Sequence, residues 1–224
     1  MEELVLAVPR DALVTAGLRM GLTRSGPRAV SVLDAIERYG DFLPRSVVER
    51  NAGLLQPIPC AIMHHSLKIL LLRRNERSKK NALHNRLVIW AGGHVRCEDV
   101  SNASSKGDLL LHGLMRELDE EIPFCTPTAA PDFLCLVWSR SLHFGVFYDL
   151  PVTPISNSVE TNEEFAESGK GTKSGIFVDV GTLKAEFSSL ETWSKVICRE
   201  LLKTEEVPKP GKNMNAQLLP LLIT

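Results

Sequence analysis

Apolar positions along the chain fall into short runs whose spacing alternates between helical and strand-like. After Ser25-Gly26-Pro27, the residues Val30, Leu33, Ile36 and Tyr39 recur at three-residue steps up to Gly40. This predicts a short amphipathic helix with proline at its start and glycine at its stop. Residues 1–56 therefore read as a partly helical N-terminal extension, ending where Gln56-Pro57-Ile58-Pro59 leads into strands. Residues 60–63 and 67–72 read as two strands joined at His64-His65-Ser66, short enough for a hairpin. A polar, basic stretch over 73–85 follows, and Leu87-Val88-Ile89-Trp90 then predicts a strand running into the turn Ala91-Gly92-Gly93.

Beyond a polar loop at 101–107, residues 108–121 have the spacing of a helix, with Asp108 as N-cap and Pro123 closing it. Strands are predicted at 133–138 and 144–150, a long polar loop at 156–174, a strand at 175–180 and a packed helix at 190–202. Residues 204–215 read as a linker, and the apolar end at 218–223 as a segment that docks back. The succession of strands, helix, strands and helix places the chain in the α/β class.

Composition narrows the class of function. In 224 residues, 44% hydrophobic and 24% charged, there is enough apolar surface for one well-filled core. The formal net charge is -1, so no overall field draws the protein to nucleic acid or an anionic membrane, and an anionic ligand must be held locally. The five cysteines, at 60, 97, 125, 135 and 198, have neither zinc-finger nor redox spacing and read as reduced thiols. Met1-Glu2-Glu3-Leu4-Val5-Leu6 lacks the basic region of a signal peptide, and no apolar run approaches the ~18 residues of a membrane span. A cytoplasmic protein is expected.

The chemistry concentrates in Arg116-Glu117-Leu118-Asp119-Glu120-Glu121. At about 100° per residue, Glu117, Glu120 and Glu121 share one side of the helix, while Leu111, Leu114, Leu118 and Ile122 form the adjacent stripe that can bury against a sheet. Like charges at this spacing weaken a helix by a few tenths of a kcal/mol per pair, partly offset by Arg116 pairing with Glu120. A divalent cation would offset the rest, since magnesium prefers carboxylate oxygens and bridges to phosphates. Taken alone, an acidic helix is more often a solvated face. The preceding strand and Gly92-Gly93 turn change that weighing, because such a turn brings backbone close to a phosphate or a metal.

These residues resemble the box of the Nudix hydrolase family, Gly-x5-Glu-x7-Arg-Glu-aliphatic-x-Glu-Glu-x-Gly-aliphatic. Arg116, Glu117, Leu118, Glu120 and Glu121 occupy family positions, Phe124 stands at the last apolar one, and Pro123 replaces the glycine. Counted from Gly92, the first acid is Glu98, but residues 99–115 then separate it from Arg116, ten more than the family pattern allows. Counted back from Arg116, the first acid is Asp108. Either fills the position.

The resemblance covers residues 57–203 and implies an α/β/α sandwich around a mixed sheet, with 204–224 as a tail. It further implies hydrolysis of a nucleoside diphosphate linked to another moiety, with magnesium or manganese held by Glu117, Glu120 and Glu121 and the glutamates oriented by Arg116. Gly92 and Gly93 would contact the ligand. A carboxylate positioning the water is expected from the distant loop, Glu164 ahead of Glu160 and Glu163 because Phe165 can anchor it. The expected partner is a small nucleotide-like molecule, with neither membrane nor nucleic acid. The alternative is a Nudix-like module that senses a nucleotide without cleaving it.

Other groups are read as structural. His64-His65 points in two directions and suits a turn better than a metal. His94 lies at the edge of the proposed site, though a packed or surface role is favoured. Arg73, Arg74, Arg77, Lys79 and Lys80 read as a solvated run, and Trp90, Trp138 and Trp193 as core.

Overall fold

The computed structural model describes residues 2–74, 86–102, 106–122, 125–161, 167–168 and 172–203; side chains at 101–102, 106–107, 160, 167–168, 172–174 and 201–203 fall outside the description. In chain order the elements are β1 (Leu4–Pro9), α1 (Arg10–Ala16), β2 (Gly21–Arg24), α2 (Pro27–Tyr39), β3 (Asp41–Pro44), α3 (Arg45–Val48), β4 (Leu54–His65) and β5 (Lys68–Arg73). Next come β6 (Leu87–Val88), β7 (Ala91–Gly92), a 3-10 turn (Cys97–Asn102), α4 (Lys106–Glu121), β8 (Cys125–Pro127), β9 (Asp132–Trp138) and β10 (His143–Pro154). The chain continues through β11 (Ser158–Glu160), β12 (Glu167–Ser168), β13 (Thr172–Val178), α5 (Val180–Ala185), a 3-10 turn (Phe187–Ser189) and α6 (Thr192–Lys203). The architecture is of the α/β class, as the alternation of periods predicts.

Two compact units make up the chain. The first comprises Met1–Ala61, Ala91–Glu121 and Pro131–Tyr148. Within it β1 runs antiparallel to β3, pairing Leu4 with Pro44, and meets the start of β4 through Val8 and Leu55. β7 pairs with β4, Cys60 opposite Gly92, and β2 pairs with β9, Gly21 opposite Trp138. Val5, Ala7 and Val48 form a buried cluster with Leu43 and Leu54 against it. Residues 1–56 thus do more than an extension with some helix: β1 supplies backbone hydrogen bonds to the site segment, Leu6 N–H donating to Val95 O at 2.9 Å.

The reason β1 escaped the pattern is that Val5, Leu6, Ala7 and Val8 are all buried, so no alternation marks a strand. The helix after Gly26 forms as expected, with Pro27 in its first turn. Its buried face is Ala29, Val32, Ala35 and Ile36, while Val30 and Tyr39 are exposed.

The second unit comprises Ile62–Trp90, Ile122–Ala130 and Asp149–Thr224. Here the end of β4 and β5 form a hairpin in which His65 faces Lys68, so the turn is Ser66-Leu67 and Ser66 takes the left-handed conformation at φ 54. β5 continues the ladder to β13, which also pairs with β11 and β12. β13 ends two residues before the sequence pattern does, because Asp179 caps α5 by accepting from the Thr182 N–H at 2.8 Å. Glu191, buried, similarly accepts from Trp193 N–H and Ser194 N–H ahead of α6 and takes the Trp90 indole N–H at 2.9 Å. Trp90, Trp138 and Trp193 are buried, and Arg74 of the basic run lies 5.1 Å over the Trp90 ring. Residues 75–85 and 204–224 lie outside the described residues. No helix among the described residues is long and apolar enough to cross a membrane.

Candidate active site

The site belongs to the first unit, where α4 packs beside β7, the 3-10 turn at 97–102 and α2. Leu110, Leu114 and Leu118 are buried on one stripe of α4. On the helix, Glu121 lies about 40° from Glu117 on the side of that stripe and Glu120 about 60° away on the other. Burial follows this order. Glu121 and Glu117 are 5% and 7% exposed, whereas the Glu120 side chain is 46% exposed.

Arg116 organises the group. Its Nε donates to Asp99 Oδ1 at 2.8 Å and its Nη2 to Asp99 Oδ2 at 3.2 Å, a two-point carboxylate grip. Nη1 donates to Glu117 Oε1 at 2.8 Å and to Glu120 Oε1 at 3.2 Å, and Nη2 also donates to His94 O at 2.8 Å. Burial works against the Arg116 charge, but the hydrogen bonds to Asp99 and Glu117 outweigh it and raise its pKa further. For Glu117 burial wins: its pKa lies above the usual carboxylate value despite the lowering by Arg116 and Arg96.

Neither sequence candidate for the first acidic position holds Arg116. Glu98 is exposed and reaches Arg96 at 3.8 Å, and Asp108 lies in the first turn of α4. The residue that does hold it is Asp99, buried, which also accepts from the Arg96 backbone N–H at 2.8 Å. Taking Gly93 rather than Gly92 as the glycine of Gly-x5-Glu would place the acid at Asp99.

The double glycine is required twice over. Gly92 has φ 146, outside the range comfortable for other residues, and a Cβ there would overlap Pro59 O on β4. A Cβ on Gly93 would overlap the Glu117 carboxylate. The turn therefore lets a buried carboxylate rest directly on backbone.

Other groups extend the site. His94 Nε2 stands 3.3 Å from His143 Nε2, which is 3.1 Å from Gln56 Nε2. Burial, with the nearby Arg45 charge, pushes His94 down to about 3 and lowers His143 too, so both rings are neutral at pH 7. Arg96 contacts Glu117 Oε1 and Glu120 Oε1, each at 3.5 Å. His143 and Arg96 carried no sequence signal, because only folding brings them beside α4. His64, in the second unit, pairs with Asp149 at 3.1 Å.

The donor set suits a hard divalent cation: hard oxygen ligands, two of which converge on one guanidinium nitrogen beside a glycine that leaves them room. The three glutamates are not gathered as one preformed cluster; among the described residues no group of three His, Cys, Asp or Glu side chains is placed to hold an ion. Arg116 and Arg96 occupy Glu117 and Glu120 instead. Pro123, Phe124, Glu163 and Glu164 lie outside the described residues, as does the Glu160 side chain.

No family model matches the chain. Protein YmaB of Bacillus subtilis (strain 168) is 26% identical over 207 residues, spanning 88% of this chain and 96% of that protein. Among solved structures, Tm1382, a protein proposed to be a Nudix hydrolase, superposes with a TM-score of 0.70 at 22% identity, covering 90% of this chain and all of that one. A MutT protein from Methanosarcina mazei Go1 matches with a TM-score of 0.43 at 17% identity over 68% of this chain and 98% of its own. The Tm1382 match reaches well beyond residues 57–203. With that likeness, and with Arg116-Glu117-Leu118-Asp119-Glu120-Glu121 seated on a helix beside the Gly92-Gly93 turn, the chain has the fold of the Nudix hydrolases.

Proposed function

We propose that the protein is a Nudix-type hydrolase that cleaves a nucleoside diphosphate linked to another moiety, with magnesium or manganese held by Glu117, Glu120 and Glu121. The observation that carries the reading is the grip of Asp99 on Arg116, which presents Glu117 and Glu120 together against the double-glycine turn. When bound, the cation supplies neutralisation of phosphate oxygens and a more acidic water. The chain's own residues do the rest. Arg116 fixes the two carboxylates from behind and does no chemistry itself. Gly92 and Gly93 let backbone approach the diphosphate. Glu164 would supply the carboxylate that positions the attacking water.

Glu120→Gln and Glu121→Gln should each abolish turnover in a screen of diphosphate compounds with magnesium while leaving the melting temperature near the parental value. Parental rates in both variants on a validated substrate would end the assignment. A second reading, a module that senses a nucleotide without hydrolysing it, is motivated by the ten extra residues in the box and by Pro123 in place of its glycine. Calorimetry separates the two: tight nucleotide binding with no product after long incubation selects the sensor.

A further inference from the structure

Arg96 is built into the site from outside the motif. Its backbone bridges to Val5 of β1, and its guanidinium Nε lies 2.9 Å from Glu3 Oε1, an ion pair rather than an aligned hydrogen bond. Glu3 is itself fixed, its Oε2 accepting from Arg45 Nη1 at 2.9 Å and its carbonyl from the Arg45 N–H at 3.0 Å. Arg45 in turn pairs with Glu49 at 2.8 Å. A chain of alternating charge thus runs from α3 through the start of β1 to Arg96.

The other end of Arg96 is held differently. Nη1 is 3.5 Å from Glu120 and 3.8 Å from Glu98, and Nη2 is 3.5 Å from Glu117. Charge-assisted hydrogen bonds close at about 2.7–2.9 Å, so none of these three is a made bond. Arg116 already serves Glu117 and Glu120 at hydrogen-bond length. Arg96 is therefore anchored at Nε while its two terminal nitrogens, on a side chain 29% exposed, hover near exposed Glu98 and over Glu117 and Glu120, which Arg116 already satisfies. That planar fork is the geometry that matches a phosphate at two points.

Resting on the proposed function, we infer that Arg96 binds a phosphate of the substrate and that Glu3 is the residue that positions it. Once a cation neutralises Glu117 and Glu120, the loose contacts of the fork lose their attraction and an anion becomes its better partner. The N-terminal strand then belongs to the site through Glu3.

The test is calorimetry of the full-length chain with ADP at saturating manganese, alongside a manganese titration without nucleotide. Arg96→Gln should weaken ADP by about ten- to a hundredfold, the range for a lost hydrogen bond to a charged group, with manganese affinity held or tightened. Arg96→Lys should recover part of the loss. Glu3→Gln should weaken ADP by a smaller factor, and adding it to Arg96→Gln should cost nothing more, because it acts through that side chain. A merely structural Glu3 would give additive losses. Parental ADP affinity in Arg96→Gln, with manganese binding lost in Glu117→Gln/Glu120→Gln, overturns this inference and leaves the proposed function standing. A parental protein that binds neither manganese nor ADP overturns both.

Discussion

Replacing Asp99 by Asn tests whether the site is assembled as described. Asp99 Oδ1 accepts from Arg116 Nε, while Oδ2 accepts from Arg116 Nη2 and from the Arg96 N–H. An asparagine has one oxygen, so either rotamer turns an NH2 group toward a donor. Turned one way, it faces Arg116 Nε; turned the other, it faces both Nη2 and the Arg96 amide. The Asp99 side chain is 4% exposed and that of Arg116 20%, so little water enters to replace what is lost. Breaking a fully buried pair costs about 3–5 kcal/mol. Arg116 keeps Glu117, Glu120 and His94 O as partners and part of its solvent contact, which lowers the expected loss to about 2–3 kcal/mol. At about 2–4 °C per kcal/mol for a chain of this size, the melting temperature should fall by roughly 5–10 °C. Thermal and urea unfolding of Asp99→Asn, at low and at high salt, measure it, and the loss should persist at high salt because a buried pair is poorly screened. A loss under about 0.5 kcal/mol, the ordinary scatter for surface substitutions, would mean that Asp99 does not hold Arg116.

Two further outcomes follow from the same geometry. Gly92→Ala meets both a left-handed φ and backbone of β4 that has nowhere to move, so it should destabilise by about 3 kcal/mol or more; Gly93→Ala meets only the Glu117 carboxylate, buried and held by Arg116, and should cost less, about 1–2 kcal/mol, while weakening manganese binding severalfold. Similar melting temperatures for the two variants would contradict this. His94, lowered to about 3, binds fewer protons folded than unfolded, so its contribution is intact above pH 6.5 and fades as pH falls from 6.5 toward 3, by up to about 1.4 kcal/mol per pH unit. Burial, and the charges of Arg45 and Arg96, keep it neutral against the opposing pull of Glu3. Urea titrations between pH 7 and 4 should therefore show a shallower acid decline in His94→Gln, and an unchanged slope would refute the shift.

What was legible in the sequence was local. The acidic helix and the burial of Leu114 and Leu118 along it follow from a period of 3.6 residues. The Gly92-Gly93 turn and the strands at β9, β10 and β13 were likewise marked by short apolar runs between breakers, although their ends moved where caps and partners decided them. What the tertiary structure alone decided was pairing across distance. The spacing admitted Glu98 or Asp108 for the first acid, and it is packing of the 3-10 turn on α4 that brings Asp99 to Arg116. Glu3, Arg45 and His143 carry no motif, since each is an ordinary polar residue until β1, α3 and β10 are folded. Periodicity reports which way a side chain faces on its own element. Which charge it meets depends on segments far away in the chain, and Coulomb attraction at 3 Å leaves no trace in their spacing.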